Sequence, residues 1–221
     1  MHLKKAIKDS SSIVLPFAVG LFIYSLLGLI IFIWLGKEET HQFLNSYHTA
    51  YLDISFKYLT HLGHGFVPVI TFLLLILVRY SWALGLGASS LLMGVIVQTL
   101  KRSVFAGDHR PAMFFQEGGL PTINGIDLML HHSFPSGHAA TALCVCLMLA
   151  FFAKQKWVTY LLIVLALLTA FSRVYISQHF IQDTIAGGWI GFIAAYLGYL
   201  FIVHYTEINP NSKLNKRLWP A

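Results

Sequence analysis

The sequence predicts an all-α, polytopic membrane protein with six transmembrane helices and its reactive polar residues gathered at the outer membrane-water interface. Composition is the first ground: of 221 residues, 57% are hydrophobic and 11% charged, with a mean hydropathy of +0.68, whereas soluble domains carry about a quarter charged residues. The second is the recurrence of long apolar runs separated by short polar breaks, which leaves no room for a soluble module and reads as one integral-membrane domain over residues 1–221. The third is that three polar segments far apart in sequence fall on one face when the spans alternate direction.

The first span, Ile13 to Leu35, follows Lys4, Lys5 and Lys8. It is longer than a signal-peptide core of about 7–15 residues, and no small-residue cleavage site precedes Lys37-Glu38-Glu39, so it reads as a retained span. Next, Asn45 to Leu62 places Tyr47, Tyr51, Ile54, Tyr58 and Leu62 at helical spacing with polar residues between them. That is the pattern of an amphipathic helix, lying at the interface or packed over the spans. The second span, Phe66 to Val78, contains Pro68 and is short against the about 20 residues a bilayer requires, so it is expected to begin earlier or to lean on flanking residues. Ser81 to Leu100, Gly137 to Ala153, Trp157 to Arg173 and Phe180 to Tyr205 complete the six. Cys144 and Cys146 stand two apart within a helical run, point to different sides and serve packing.

Charge orients the spans. With the amino terminus inside, Lys4, Lys5, Lys8, Arg79, Lys154, Lys156, Lys213, Lys216 and Arg217 are cytoplasmic, and Lys37, Lys57, Lys101, Arg102, Arg110 and Arg173 are outside. Both termini are therefore expected in the cytoplasm. Three polar segments then share the outer face: Lys101 to Pro111, Ser133 to His138 and Ser172 to Asp183.

In the last of these, His179 and Asp183 are four residues apart at the start of a span and stack on one helical face. The carboxylate can accept one ring N–H, fix the tautomer and leave the other nitrogen as nucleophile or base; such a pair is also common as a structural contact. Pro135-Ser136-Gly137-His138 opens another span. A helix start there offers free N–H groups to a phosphate oxygen, and Gly137 permits close approach, although Pro-Ser-Gly taken alone reads better as a simple capped helix start. His138 adds an acid/base group beside it. Lys101, Arg102, Arg110 and Arg173 concentrate positive charge on the same face, which matches an anionic substrate and disfavours a bound metal by repulsion.

Arg110-Pro111, Pro135-Ser136-Gly137-His138, and Ser172-Arg173 followed by His179 and Asp183 resemble the three motifs of the type 2 phosphatidic acid phosphatase (PAP2) superfamily. The second and third agree in every defining residue and in spacing. The first departs: the family has a lysine, six intervening residues and then Arg-Pro, a lysine position held here by Ser103, while Lys101 and Arg102 are separated from Arg110 by eight and seven residues. Lys101 is the choice by residue type and Arg102 its competitor. The resemblance implies an active site at the outer interface in which His179 attacks phosphorus, Asp183 orients the imidazole, and His138 protonates the leaving oxygen and then activates water. It further implies that Lys101, Arg110, Arg173, Ser136 and Gly137 hold the phosphoryl oxygens, without metal or cofactor.

The reaction so implied is metal-independent dephosphorylation of a membrane lipid phosphate or pyrophosphate, with undecaprenyl pyrophosphate or phosphatidylglycerophosphate favoured. A lipid A phosphatase, a lipid phosphotransferase and a non-catalytic lipid-phosphate binding or transport protein are the alternatives. The expected partners are the bilayer and its lipid phosphate, not nucleic acid, and the expected location is a bacterial inner membrane with the site periplasmic or extracellular. His109, Asp108, His131 and His132 are assigned to loops, Ser172 to ending its span or supporting the site, and Phe114-Phe115 with Gln116 to Leu130 to the interface or a lipid chain. Gly187, Gly188 and Gly191 are assigned to close helix packing.

Overall fold

The computed structural model describes residues 2–115, 119–209, 212 and 214, with backbone only for 2–9, 207 and 208. Lys213, Lys216 and Arg217, the side chains of Lys4, Lys5 and Lys8, and residues 116–118 of the loop lie outside the described residues. Among the described residues eight α-helices follow in order: α1 (His2–Leu35), α2 (Lys37–Leu44), α3 (Ala50–Leu59), α4 (Phe66–Val78), α5 (Tyr80–Thr99), α6 (Gly137–Ala153), α7 (Lys156–Tyr175) and α8 (Ile181–Ile208). The only extended pairing among the described residues is an isolated bridge between His109 and His131.

All six apolar runs are helical. Four segments have the length and apolarity to cross a membrane: Ser10–Leu35, Tyr80–Val104, Lys156–Tyr175 and Ile181–Thr206. The short run at Phe66 is helical from Phe66 itself; Ala50–Gly63 precedes it at an angle of 58°, and the bent pair is either one broken span, which would be a fifth candidate, or a re-entrant loop. The tyrosine-rich segment thus becomes α3 plus a 3₁₀ turn, Thr60–Gly63, and its helix starts at Ala50, capped by the Thr49 hydroxyl, rather than at Asn45. The sixth helix, α6, is apolar but short, and it is the centre of the bundle. Ala139, Ala140, Leu143, Leu147 and Met148 are all buried, and α8 and α7 are its principal neighbours.

Small residues let α8 approach α6 and α1 closely. A Cβ on Gly187 would overlap the Ser136 carbonyl oxygen, and one on Gly191 would overlap the Ala140 carbonyl oxygen. Gly28 of α1 faces Ile181 and Ile185, and Gly188 of α8 faces Leu21, so α1 runs antiparallel to α8. Outward, α1 presents Leu15, Phe22, Leu27 and Ile33, each more than half exposed, as a lipid-facing side requires.

Replacing Gly191 by Ala tests this packing. Helix propensity favours Ala by about 1 kcal/mol, but overlap with backbone cannot be relieved by a rotamer change, and overpacking costs roughly 1–3 kcal/mol. Gly191→Ala is therefore expected to lower the thermal midpoint in detergent, whereas Gly94→Ala, where an added Cβ meets nothing within 4 Å, leaves it unchanged or raises it.

Candidate active site

The carboxyl end of α5, the amino end of α6, the carboxyl end of α7 and the amino end of α8 meet at one end of the bundle. The α7-α8 turn is built on one carbonyl: Arg173 O accepts the amide hydrogens of Gln178 (2.9 Å) and His179 (3.0 Å). Ser177 within it has a positive φ of 53°, a left-handed conformation unusual outside glycine. Asn45, just past α2, supports that conformation. It donates to Val174 O (2.9 Å), and its Oδ1 accepts from Ser177 Oγ (3.0 Å).

His179, 1% exposed, directs Nδ1 toward Asp183 Oδ2 at 3.4 Å, so Nε2 is the nitrogen left for chemistry. Asp183 is held from three sides. Its Oδ2 accepts from Ser133 Oγ (2.5 Å) and from the Phe180 amide (3.0 Å), the latter capping α8. Its backbone carbonyl accepts from the Ser136 amide at 2.9 Å, and this bond ties the second motif to the third. Burial above all, and then the charges of Arg110, Arg173 and Lys101, hold the His179 imidazole well below its usual pKa, hence neutral.

The cations converge. Lys101 lies within electrostatic reach of Arg110, Arg173 and Asp183, and His138 within reach of Arg173, His179 and Arg110. Arg102, next to Lys101, is exposed. The geometry thereby separates the two competitors, and the cause is local: Leu100–Val104 forms a π turn, with Phe105 N donating to Leu100 O at 2.8 Å. A π turn takes up one residue more than an α turn, which absorbs one of the two residues by which the spacing from Lys101 to Arg110 exceeds the family's, and it leaves the lysine half-buried beside an exposed Arg102.

Arg110 is positioned by Nε donating to His131 O (2.9 Å) and a terminal nitrogen donating to Gln178 O (3.0 Å) and Oε1 (2.9 Å). Burial lowers the pKa of its guanidinium while Asp183 raises it. Arg173 donates to Thr60 Oγ1 at 2.7 Å, but its Nε is buried without a hydrogen-bond partner, a costly state that an anion would relieve. At the start of α6, Ser136 is the N-cap and accepts the Ala139 amide at 3.4 Å, while Gly137 stands open, with only Val97 near a would-be Cβ. All the residues expected from the motifs thus gather at this end, and Arg102 alone faces away.

Several contributors escape the motifs. Ser133, Gln178, Thr60 and Asn45 position catalytic candidates from outside them, and Ser133 and Gln178 at least sit inside the polar segments the sequence singles out. Lys37 places its ammonium 4.3 Å from the Phe180 ring centroid and 4.5 Å from that of Phe114, within electrostatic reach of Asp183. His41 packs its ring on Phe180 and Phe115, and burial lowers its pKa to about 4 despite the pull of Asp183. Conversely, His109 and His131 pair with each other across the loop bridge, and the Ser172 hydroxyl donates to Thr169 O inside its own helix.

A membrane-embedded helical bundle with a buried His-Asp pair facing converging cations and a helix start defines a class of phosphoryl-handling membrane proteins. The chain belongs to the PAP2 superfamily, whose family model matches residues 82–207. Phosphatidylglycerophosphatase B of Bacillus subtilis is 36% identical over 74 residues, 29% of this chain and 36% of that protein. Lipid A 4'-phosphatase of Bacteroides thetaiotaomicron is 31% identical over 71 residues, 32% and 31% of the respective chains; the match thus spans about a third of either relative. Undecaprenyl-diphosphatase of Sulfolobus acidocaldarius is 27% identical over 72% of this chain and 77% of that one. The crystal structure of Aquifex aeolicus LpxE superposes with a TM-score of 0.66 at 26% identity, covering 73% of this chain and 93% of that one. A phosphatidylglycerolphosphate phosphatase of Bacillus subtilis, with a TM-score of 0.50 at 20% identity over 86% and 96%, shares the fold.

Two substitutions test the geometry. Lys101→Ala is expected to lower kcat/KM by about 10²–10³, the loss typical of a donor to developing charge, while Arg102→Ala changes it by less than about threefold, the scale of an exposed charge. Ser133→Ala removes a charge-assisted bond to Asp183, so kcat is expected to fall about tenfold or more with KM little changed.

Proposed function

We propose that this chain is a metal-independent phosphatase of a membrane lipid phosphate or pyrophosphate working through a phosphohistidine. The observation that carries the reading is the buried, unpartnered Arg173 Nε beside Lys101 and Arg110, opposite a histidine whose Nδ1 is already engaged by Asp183. His179 Nε2 attacks phosphorus, and the bond from phosphorus to the lipid oxygen breaks as the N–P bond forms. His138 gives its proton to that oxygen. It then takes a proton from water, whose oxygen attacks phosphorus and releases phosphate and neutral His179. Lys101, Arg110, Arg173, Ser136 and the Gly137 amide hold the phosphoryl oxygens.

His138 also borders a groove of about 340 Å³ between α4, α5 and α6, lined by Pro68, Met93, Gly94, Val97 and Gly137. A groove meeting the acid rather than the nucleophile suits the departing lipid, whose oxygen His138 protonates. Among substrates, undecaprenyl pyrophosphate and phosphatidylglycerophosphate are favoured. The undecaprenyl-diphosphatase relative matches over most of both chains, and a phosphatidylglycerophosphatase is the more identical over its shorter segment. Six spans with both termini in the cytoplasm and the site on the outer face of a bacterial inner membrane complete the proposal, in keeping with the distribution of Lys and Arg.

The decisive experiment is phosphate release from a panel of lipid phosphates by purified protein in detergent with chelator present. Undiminished release, a phosphohistidine trapped in wild type and its loss in His179→Ala are expected; abolition by chelator would overturn the mechanism. Because the neutral imidazole persists below its usual pKa of 6.5, the acidic limb of kcat/KM governed by His179 is expected below that pH. Gly94→Leu is expected to raise KM for long-chain lipid phosphates about tenfold, since two lost CH₂ contacts suffice, and to spare a short-chain, water-soluble phosphate ester.

A further inference from the structure

At the bundle end opposite the candidate active site, α5 begins, α6 ends and the last turns of α8 pass around a second cavity, of about 160 Å³. Arg79, Trp82, Phe152, Lys154, Tyr199 and Thr206 are among its lining residues. Arg79 interrupts the apolar sequence between α4 and α5 in an extended conformation, and no side chain caps the α5 start that follows. Its Nε is buried and has no hydrogen-bond partner. Its guanidinium carbon lies 6.0 Å from the Trp82 ring centroid, and Trp82 in turn stacks on Phe152 at 4.8 Å and 7°, so the cation is fixed against a flat apolar wall. Lys154, in a left-handed conformation (φ 54°), ends α6 on the same rim.

Among the described residues none that lines the cavity is acidic and none forms an ion pair with either cation. A cation that merely snorkels keeps its head in water; a guanidinium with a buried, unused N–H beside a cavity does not fit that description. The lining brings two positive charges together, which suits a phosphate oxygen. Next in sequence to the lining residues Arg79 and Ile202, Val78 and Phe201 are 47% and 58% exposed, apolar surface of the kind acyl chains use and a soluble anion does not.

We propose that this cavity binds the phosphodiester headgroup of an anionic phospholipid from the leaflet opposite the active site, as basic pockets between membrane helices do. The site stands independently of the phosphatase reading, since it shares no residue with it.

The test is native mass spectrometry of the delipidated full chain in detergent, titrated with phosphatidylglycerol, phosphatidylcholine or inorganic phosphate. Wild type and His179→Ala are expected to retain one phosphatidylglycerol where phosphatidylcholine is lost. Arg79→Gln/Lys154→Gln is expected to bind it about 30-fold more weakly, the effect of two cations near a membrane surface, while hydrolysing a water-soluble phosphate ester at the wild-type rate. Equal phosphatidylglycerol retention by the double variant, or equal retention of phosphatidylcholine by wild type, would overturn the proposal. Thermal stabilisation by inorganic phosphate equal to that by phosphatidylglycerol would replace it with a soluble-anion site. Should the double variant not fold, Lys154→Gln alone, at an exposed position, and quenching of Trp82 fluorescence by brominated phosphatidylglycerol, read against Trp82→Phe, decide the same question. Weaker binding and selective quenching support the site, and their absence refutes it.

Discussion

Gly187 and Gly191 bring α8 against the backbone of α6 at the Ser136 and Ala140 carbonyls, and within that contact the Ser136 amide donates to the Asp183 carbonyl. The second and third motifs are about forty residues apart in sequence, and this one interface sets their relative height. In a membrane, where lipid tails are as apolar as the helices, such close approach through small residues is what holds helices together. The force that assembles the bundle is thus also the one that aligns the helix start presenting Gly137 and His138 with the histidine facing it.

Around that interface the site concentrates charge of one sign. Lys101, Arg110 and Arg173 crowd a largely buried space with Asp183 as the nearby carboxylate. Asp183 is engaged by Ser133, the Phe180 amide and His179 and is unavailable to neutralise the guanidinium groups, which are held by neutral partners instead: carbonyls, Gln178 and Thr60. An unneutralised cation cluster is unfavourable while empty and favourable once an anion enters, which couples the stability of this end of the bundle to its ligand.

The α7-α8 turn shows the cost of presenting a buried histidine. Ser177 adopts a conformation that L-residues rarely use, and it persists because Asn45 and the Arg173 carbonyl over-determine the turn. Helix α2, too short to contribute much stability of its own, matters through the side chains it sets beside this turn: Lys37 on Phe180, His41 on Phe180 and Asn45 at its end.

Much of this was legible in the sequence. Apolar runs report membrane helices because backbone in lipid must bond internally, so the six runs and their polar breaks read directly. Pro135 to His138 and Arg173 to Asp183 were readable because their chemistry depends on local spacing along one helix end. Contacts that depend on tertiary placement were not. Residue type favours Lys101 over Arg102 without deciding between them, and at the π turn of Leu100–Val104 it is Lys101 that comes within reach of Arg110 and Arg173 while Arg102 is exposed. The 58° bend between Ala50–Gly63 and Phe66–Val78, the grip of Ser133 on Asp183 and that of Thr60 on Arg173 likewise join residues with no periodic or motif relation. Sequence determined which groups and which helices are present, since both follow from composition and local order. Only the packed bundle decided which side chains meet, because helix rotation and depth are set by where small residues allow backbones to touch.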